Sequence, residues 1–223
     1  VARIKETPIG EPLRLAVLAS GRGTNLQAII DACAPGGPLD GVAEVAVVIS
    51  DRRSAMALER ARQHGIATVV LRPRDFPDRS AHDHAVACAL EQHGARLICL
   101  AGYMRLFQPA FIRAHAGRII NVHPALLPAF PGLDVQRQAL EHGVKVTGCT
   151  VHFVDEGTDT GPIIIQRSVA VAEDDTVETL SSRILAEEHL AYIEAIRLYA
   201  AGRLVIEGRR VRVTCAAGTS GAS

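Results

Sequence analysis

No run of apolar residues in this 223-residue chain reaches the length of roughly 18 needed to cross a bilayer. Residues 1–10 are too polar for the core of a signal peptide, so the expected location is the cytoplasm, with no membrane partner. An excess of either charge is missing too: 24 Lys+Arg balance 24 Asp+Glu. That leaves no long-range field to gather a polyanion, and no local basic stripe replaces it, so nucleic acid is not an expected partner. Cysteines are few and scattered (Cys33, Cys88, Cys99, Cys149, Cys215), odd in number and without a Cys-x-x-Cys pair. Neither a disulfide framework nor a zinc knuckle is indicated, and free thiols in a reducing compartment are expected. With 48% hydrophobic and only 4% aromatic residues, the composition is that of one ordinary globular domain.

Short β-branched apolar runs alternate with helix-period segments, the pattern of a parallel sheet flanked by helices, so the expected class is α/β. Residues 14–20 (RLAVLAS) predict a buried strand, 25–32 a helix, 45–50 a second strand and 55–64 a second helix. A third strand follows at 67–71 and a helix at 80–93. Residues 96–101 (RLICLA) hold almost nothing polar and predict a strand covered on both faces. This half is Rossmann-like and mostly parallel. Beyond it, residues 119–123 predict a strand entering a proline-rich loop, and 145–154 and 163–171 predict longer alternating strands that form an antiparallel extension in the C-terminal half. Periodicity over 177–199 predicts a long closing helix, followed by a hairpin within 204–213. The chain reads as a single domain, 1–223, with a core over about 13–206, a flexible start and a disordered end at 216–223.

Ser20-Gly21-Arg22-Gly23-Thr24-Asn25 joins the first strand to the first helix, where backbone N–H groups and the positive helix end converge on a space that suits an anion. Gly21 and Gly23 let the main chain approach a ligand, while Thr24 and Asn25 either add donors or cap the helix. A tight turn with an N-cap is the plain alternative, although ligands of open α/β sheets bind at the carboxyl ends of strands. Leu26 stands where a dinucleotide fingerprint requires its third glycine, and no Gly-Lys-Ser/Thr follows. A single phosphate, such as that of a phosphoribosyl group, suits the loop better. Asp51, ending the second strand, is placed to reach a ribose.

Asn121-Val122-His123-Pro124 ends a strand, and alternation puts Asn121 and His123 on one face, an amide and a titratable imidazole sharing one space. Pro124, Pro128, Pro131 and Gly132 then impose a stiff, non-helical path. By itself His123 is as readily structural as catalytic. Asp155, Glu156 and Asp159 lie in a turn-rich link between two strands, where three carboxylates are commonplace. Only proximity to His123 would promote one of them, and spacing does not establish it.

Several segments together carry a family likeness: SGRGTNLQAIIDAC (20–33), LERARQHGIAT (58–68), LAGYMRLF (100–107), NVHPALLPAFPG (121–132), GCTVHFVDEGTDTGPIIIQ (148–166) and EEHLAYIEAI (187–196). The chain resembles the phosphoribosylglycinamide formyltransferases, folate-dependent enzymes of purine synthesis. The resemblance implies formyl transfer from 10-formyltetrahydrofolate to the glycinamide amine of a ribonucleotide, without a metal, by a monomer or homodimer. It also implies that Gly23, Thr24 and Asn25 hold the substrate phosphate and Glu188 its ribose. Met104, Arg105, Leu106 and Phe107 would line the folate site, with Arg79 and Asn121 contacting the same co-substrate. Asn121, His123 and Asp159 would form the catalytic trio, which selects Asp159 over Asp155 and Glu156. Asn121 and a protonated His123 can then donate to the developing oxyanion, and Asp159 beside His123 favours the imidazolium. His152 either assists from the next strand or packs.

Three positions depart from that pattern: Ala125, Asp134 and Ile193 stand where serine, histidine and proline are usual. Asp134 falls in residues 130–141, expected to be a lid over the folate site. His82 and His84, two apart on a helix, face different ways and do not suggest a shared metal. Competing functions are formyltetrahydrofolate hydrolase, a phosphoribosyl-binding module without catalysis, and a nicotinamide oxidoreductase. The hydrolase pattern has an additional amino-terminal domain and a His-His pair where this chain has His123-Pro124.

Overall fold

The computed structural model describes residues 2–4 and 10–215. Its strands are β1 (Ala2–Arg3), β2 (Leu13–Leu18), β3 (Ala43–Ser50), β4 (Ala67–Val70), β5 (Leu97–Leu100), β6 (Ile119–His123), β7 (Val146–Phe153), β8 (Ile163–Ala170), β9 (Leu204–Glu207) and β10 (Arg210–Val213). The helices are α1 (Thr24–Cys33), α2 (Met56–Gln63), α3 (Arg79–Gln92), α4 (Pro109–Ala114), α5 (Val135–Glu141) and α6 (Val177–Ala200). One sheet contains all ten strands, ordered β1-β9-β10-β8-β7-β6-β5-β2-β3-β4.

From β6 to β4 the neighbours run parallel. At β6 the sense changes: β7 pairs antiparallel with β6, and β8 antiparallel with β7. The α/β reading with a parallel first half and an antiparallel extension is the fold observed. Alternation along β2 explains its helices on both faces. Leu15, Val17 and Ala19 join a core with α1, α2 and α6, while Ala16 and Leu18 join a second core with residues of α3 and α4. Among the described residues no helix is long and apolar enough to cross a membrane.

Periodicity missed three short pieces. Helices α4 and α5 are six and seven residues long, too short for a 3.6-residue repeat to register. The start of the chain, expected to be a loose tail, contributes β1, whose Ala2 and Arg3 pair with Ile206 and Val205. The expected disordered end, 216–223, lies outside the described residues.

Two helix starts bear on the site. Helix α6 opens on a capping box in which Thr176 and Thr179 each receive the other's backbone N–H, a device worth about 1 kcal/mol. Helix α1 opens on Gly23 in the left-handed conformation, φ 70°, with no side-chain cap. The N–H groups of its first turn therefore remain available, and the capping role considered for Thr24 and Asn25 is not the one they take.

Candidate active site

The glycine loop leaves β2 and is clamped on three sides. Ala57 N–H donates to Gly21 O at 3.1 Å, Arg60 Nε to Arg22 O at 2.9 Å, and Ser20 N–H to Gly102 O at 3.1 Å. A Cβ on Gly23 would lie 2.8 Å from Cα and Cβ of Ala57. The close approach to α2 and the positive φ thus both require glycine there. In front of the loop lies a cavity of about 590 Å3, closed opposite by α6 and bordered by Ala101, Gly102 and Met104. Gly23, Thr24, Asn25 and Glu188 all line it, so the four residues assigned to the ribonucleotide share one space.

Glu188 reaches that space from α6. Its carboxylate accepts from Asn25 Nδ2 at 2.8 Å, and burial pushes the carboxyl above its usual range while the Asn25 hydrogen bond opposes the rise. Asn25 Oδ1 is buried without a partner. A helix start with free N–H groups at one side and a buried hydrogen-bond acceptor at the other suit a phosphate linked to a hydroxyl-bearing sugar.

The second cluster forms where the sheet changes sense. Pairing of β6 with β7 sets Asn121 opposite His152 and His123 opposite Thr150. The link from β7 to β8 then turns back, with Asp159 at φ 54°. Asp159 Oδ2 lies 3.4 Å from His123 Nδ1, and Oδ1 lies 3.7 Å from His152 Nε2. The other two carboxylates of the link are spent elsewhere. Asp155 accepts from Gly157 N–H and Thr160 Oγ1 within its own turn, and Glu156 pairs with Arg113 at 2.8 Å. Gly161 follows because a Cβ there would fall 1.8 Å from Phe153 O.

Hydrogen bonds assign the two rings. His152 Nδ1 is 2.8 Å from Phe153 O, an acceptor only, so Nδ1 carries the proton. Burial lowers the pKa of this ring, against the opposing hydrogen bond to Phe153 and the charge of Asp159. In the neutral ring Nε2 is then the acceptor for Asn121 Nδ2, 3.3 Å away. His152 thereby orients the Asn121 amide, a part that the sequence left open between assisting and packing. His123 Nε2 donates to Phe130 O at 2.8 Å, leaving Nδ1 toward Asp159. Gly132 N–H donates to Asp159 Oδ2 at 3.0 Å, so the proline-rich loop holds both members of the pair. These contacts come from main-chain groups, which have no signature in a residue string.

The segment assigned to folate follows β5, whose Leu100 pairs with Asn121. Met104 and Leu106 are 56% and 64% exposed, large apolar side chains open to a ligand. Arg79, at the start of α3, donates from Nη2 to Leu106 O at 2.7 Å, so it joins this segment. The half-buried Phe107 stacks its ring between Tyr103 and Phe111, 5.7 and 4.1 Å away between centroids, and packs against the second core. Of this run, only Met104 borders the cavity in front of the glycine loop, and the trio lies outside its lining. Two imidazoles and a carboxylate meet at Asp159, yet no group of three His, Cys, Asp or Glu among the described residues could hold a metal ion.

Comparison with known proteins identifies the family. Residues 13–196 match the family model described as formyl transferase. The chain is 43% identical over 192 residues to phosphoribosylglycinamide formyltransferase of Escherichia coli, covering 86% of this chain and 89% of that protein. It is 48% identical over 192 residues to a trifunctional purine biosynthetic protein of Drosophila pseudoobscura pseudoobscura, where the match covers 86% of this chain but spans only 14% of the longer protein. The crystal structure of glycinamide ribonucleotide transformylase 1 from Symbiobacterium toebii superposes with a TM-score of 0.87 at 56% identity, covering 96% of this chain and 100% of that one. The match covers the sheet from β2 through β8, the glycine loop and most of α6, and by it the chain belongs to the formyl transferase family.

Proposed function

We propose that this chain transfers the formyl group of 10-formyltetrahydrofolate to the glycinamide amine of phosphoribosylglycinamide, a step of purine synthesis. The observation that carries the reading is the pairing of His123 with Asp159 beside Asn121, at the same carboxyl ends of the parallel strands that present the glycine loop. The exposed apolar side chains of Met104 and Leu106 next to Arg79 fit a co-substrate with a flat apolar body and an acidic end. When bound, that co-substrate supplies the formyl carbon on N10.

Thr24 and Asn25 hold the phosphate on the first-turn N–H groups of α1, and Glu188 accepts from the ribose. Asn121 gives one amide hydrogen to His152 Nε2 and has its second for the formyl oxygen, where charge collects as the amine attacks. His123, facing Asp159, adds a second donor once Phe130 O releases Nε2. As the new N–C bond forms and the old one to N10 breaks, the His123–Asp159 pair takes a proton from the amine and returns one to N10. The same reading makes this a single cytoplasmic catalytic domain acting on small molecules, as a monomer or homodimer.

The test supplies formyl-labelled 10-formyltetrahydrofolate with and without phosphoribosylglycinamide. Label should appear in the ribonucleotide only when the amine is present. Release of labelled formate at the same rate in both reactions would make the chain a hydrolase and overturn the proposal.

A further inference from the structure

Two helix starts border the cavity in front of the glycine loop, and they differ in charge. Helix α6 presents Val177 and Glu178 to it, next to the Thr176 cap. Glu178 is an acid in the first turn of that helix, and its own main-chain N–H and the Thr176 hydroxyl hold its carboxyl below the usual range. A helix start is worth about half a positive charge, so a full negative charge on Glu178 more than offsets that of α6. Helix α1 has neither an acid in its first turn nor a side-chain cap. It is therefore the pole of the cavity that is open to an anion.

Half a charge does not by itself hold a doubly charged group in a space that Glu178 and Glu188 also border. Arg22 changes the balance. Among the described residues it is the sole cationic residue of the cavity lining, and its guanidinium has no ion-pair or hydrogen-bond partner among them. Arg22 is fixed through its main chain instead: its carbonyl oxygen accepts from Arg60 Nε at 2.9 Å, while Arg60 spends Nη1 on Gln27 Oε1 at 3.1 Å. On either side of it, Gly21 O accepts from Ala57 N–H at 3.1 Å and Gly23 packs against Ala57. The point where the side chain leaves the loop is thus held in place, and the fork at its end is unspent.

The number of acceptor oxygens narrows the ligand. A carboxylate offers two, which the free first-turn N–H groups of α1 can take up alone. A phosphate monoester offers three terminal oxygens and close to two charges at neutral pH, enough to serve the helix start and a guanidinium fork together.

We propose that Arg22 is a specificity-determining residue: its guanidinium closes on a phosphate monoester seated at the start of α1 and supplies the charge by which the phosphorylated ribonucleotide is preferred over the same molecule without its phosphate. The inference rests on the ribonucleotide reading above, and its test separates the two. Equilibrium binding of phosphoribosylglycinamide, ribosylglycinamide and ribose 5-phosphate is compared in the unmodified protein, R22A, R22K and R22E. Arg22 is exposed and lies outside the left-handed region, so its replacement leaves the fold intact. R22A should bind phosphoribosylglycinamide about tenfold more weakly, as the loss of one charge-assisted contact allows, and R22E more weakly still. R22K should recover part of the loss, because an ammonium keeps the charge without the fork. Ribosylglycinamide should bind all four proteins alike, and rising salt should weaken phosphoribosylglycinamide binding more in the unmodified protein than in R22A. Equal affinity of the unmodified protein and R22A for phosphoribosylglycinamide overturns the inference. A loss in R22A that is as large for ribosylglycinamide also overturns it, by making Arg22 a support of the loop rather than a phosphate contact. Ribose 5-phosphate binding that depends on Arg22, in a protein that does not bind phosphoribosylglycinamide, overturns the ribonucleotide reading instead and leaves the role of Arg22 standing.

Discussion

The glycine loop and the His123–Asp159 pair lie on the same sheet but are built in opposite ways. The loop is local: a strand, five residues and a helix start, with the ligand groups supplied by main-chain N–H. The pair is assembled from a distance, from the end of β6 and from a link beyond β7, and two further main-chain groups of the intervening loop hold it. Binding an anion needs only donors that a helix end already provides. Moving a proton needs two titratable groups at a set separation, which neighbouring residues on one strand cannot supply because they face opposite sides.

The largest expected effect breaks the pair alone. Asp159→Asn keeps the Gly132 hydrogen bond through its carbonyl oxygen but removes the charge facing His123. The turnover number should fall by about 10²- to 10⁴-fold, with KM for the ribonucleotide within about threefold. Steady-state kinetics check this, and near-normal turnover would remove Asp159 from the proton path. Next comes the loop: Gly23→Ala forces a Cβ against Ala57 at positive φ. It should cost about 1 to 3 kcal/mol of stability, read as a lower Tm, and raise KM for the ribonucleotide more than it lowers kcat. If kcat fell and KM held, the division between a binding loop and a proton-moving pair would be wrong.

A smaller effect sharpens the comparison inside the catalytic cluster. His152→Phe removes the acceptor that orients Asn121 and should lower kcat by about tenfold, the worth of one hydrogen bond, with folate affinity retained in a binding assay. The variant should also lose an acid sensitivity. Burial lowers the His152 pKa in the folded state, so as pH falls through the ordinary histidine range the unfolded chain gains a proton that the folded chain does not. That contribution to stability is present above the ordinary histidine range and shrinks as the pH drops through it. Denaturant titrations across this range should show the loss in the unmodified protein and less of it in the variant.

The smallest effect belongs to Glu188. Burial raises its folded-state pKa, so the folded chain binds more protons just above the unfolded value, and stability declines as pH rises through that window. Glu188→Gln removes the buried charge. It should be more stable than the unmodified protein at neutral pH and equal to it at low pH, with weaker ribonucleotide binding. A variant destabilised at every pH would show that the carboxylate supports the fold rather than the ligand.

Legibility in the sequence followed the same division. The parallel half could be read from buried β-branched runs, and the loop from two glycines at a strand-to-helix junction. Helices α4 and α5 were too short to show a period. His152 looked equally suited to packing because its partner is an amide on another strand. Phe107 was carried over as a ligand contact with its neighbours, and the stack of its ring with Tyr103 and Phe111 had no signature in the residue string. Among Asp155, Glu156 and Asp159, residue type alone offered no choice.

By itself the sequence determined the longer elements, their order along the chain and the helix start that awaits an anion, because strand alternation, helical period and a glycine-rich strand-to-helix turn act between near neighbours. The tertiary structure alone decided the register in which β6 and β7 pair, which sets His152 opposite Asn121, and the path of the link that turns Asp159 back to His123. Those choices depend on which strands pair, and pairing is settled by burying the whole sheet at once rather than by any one segment.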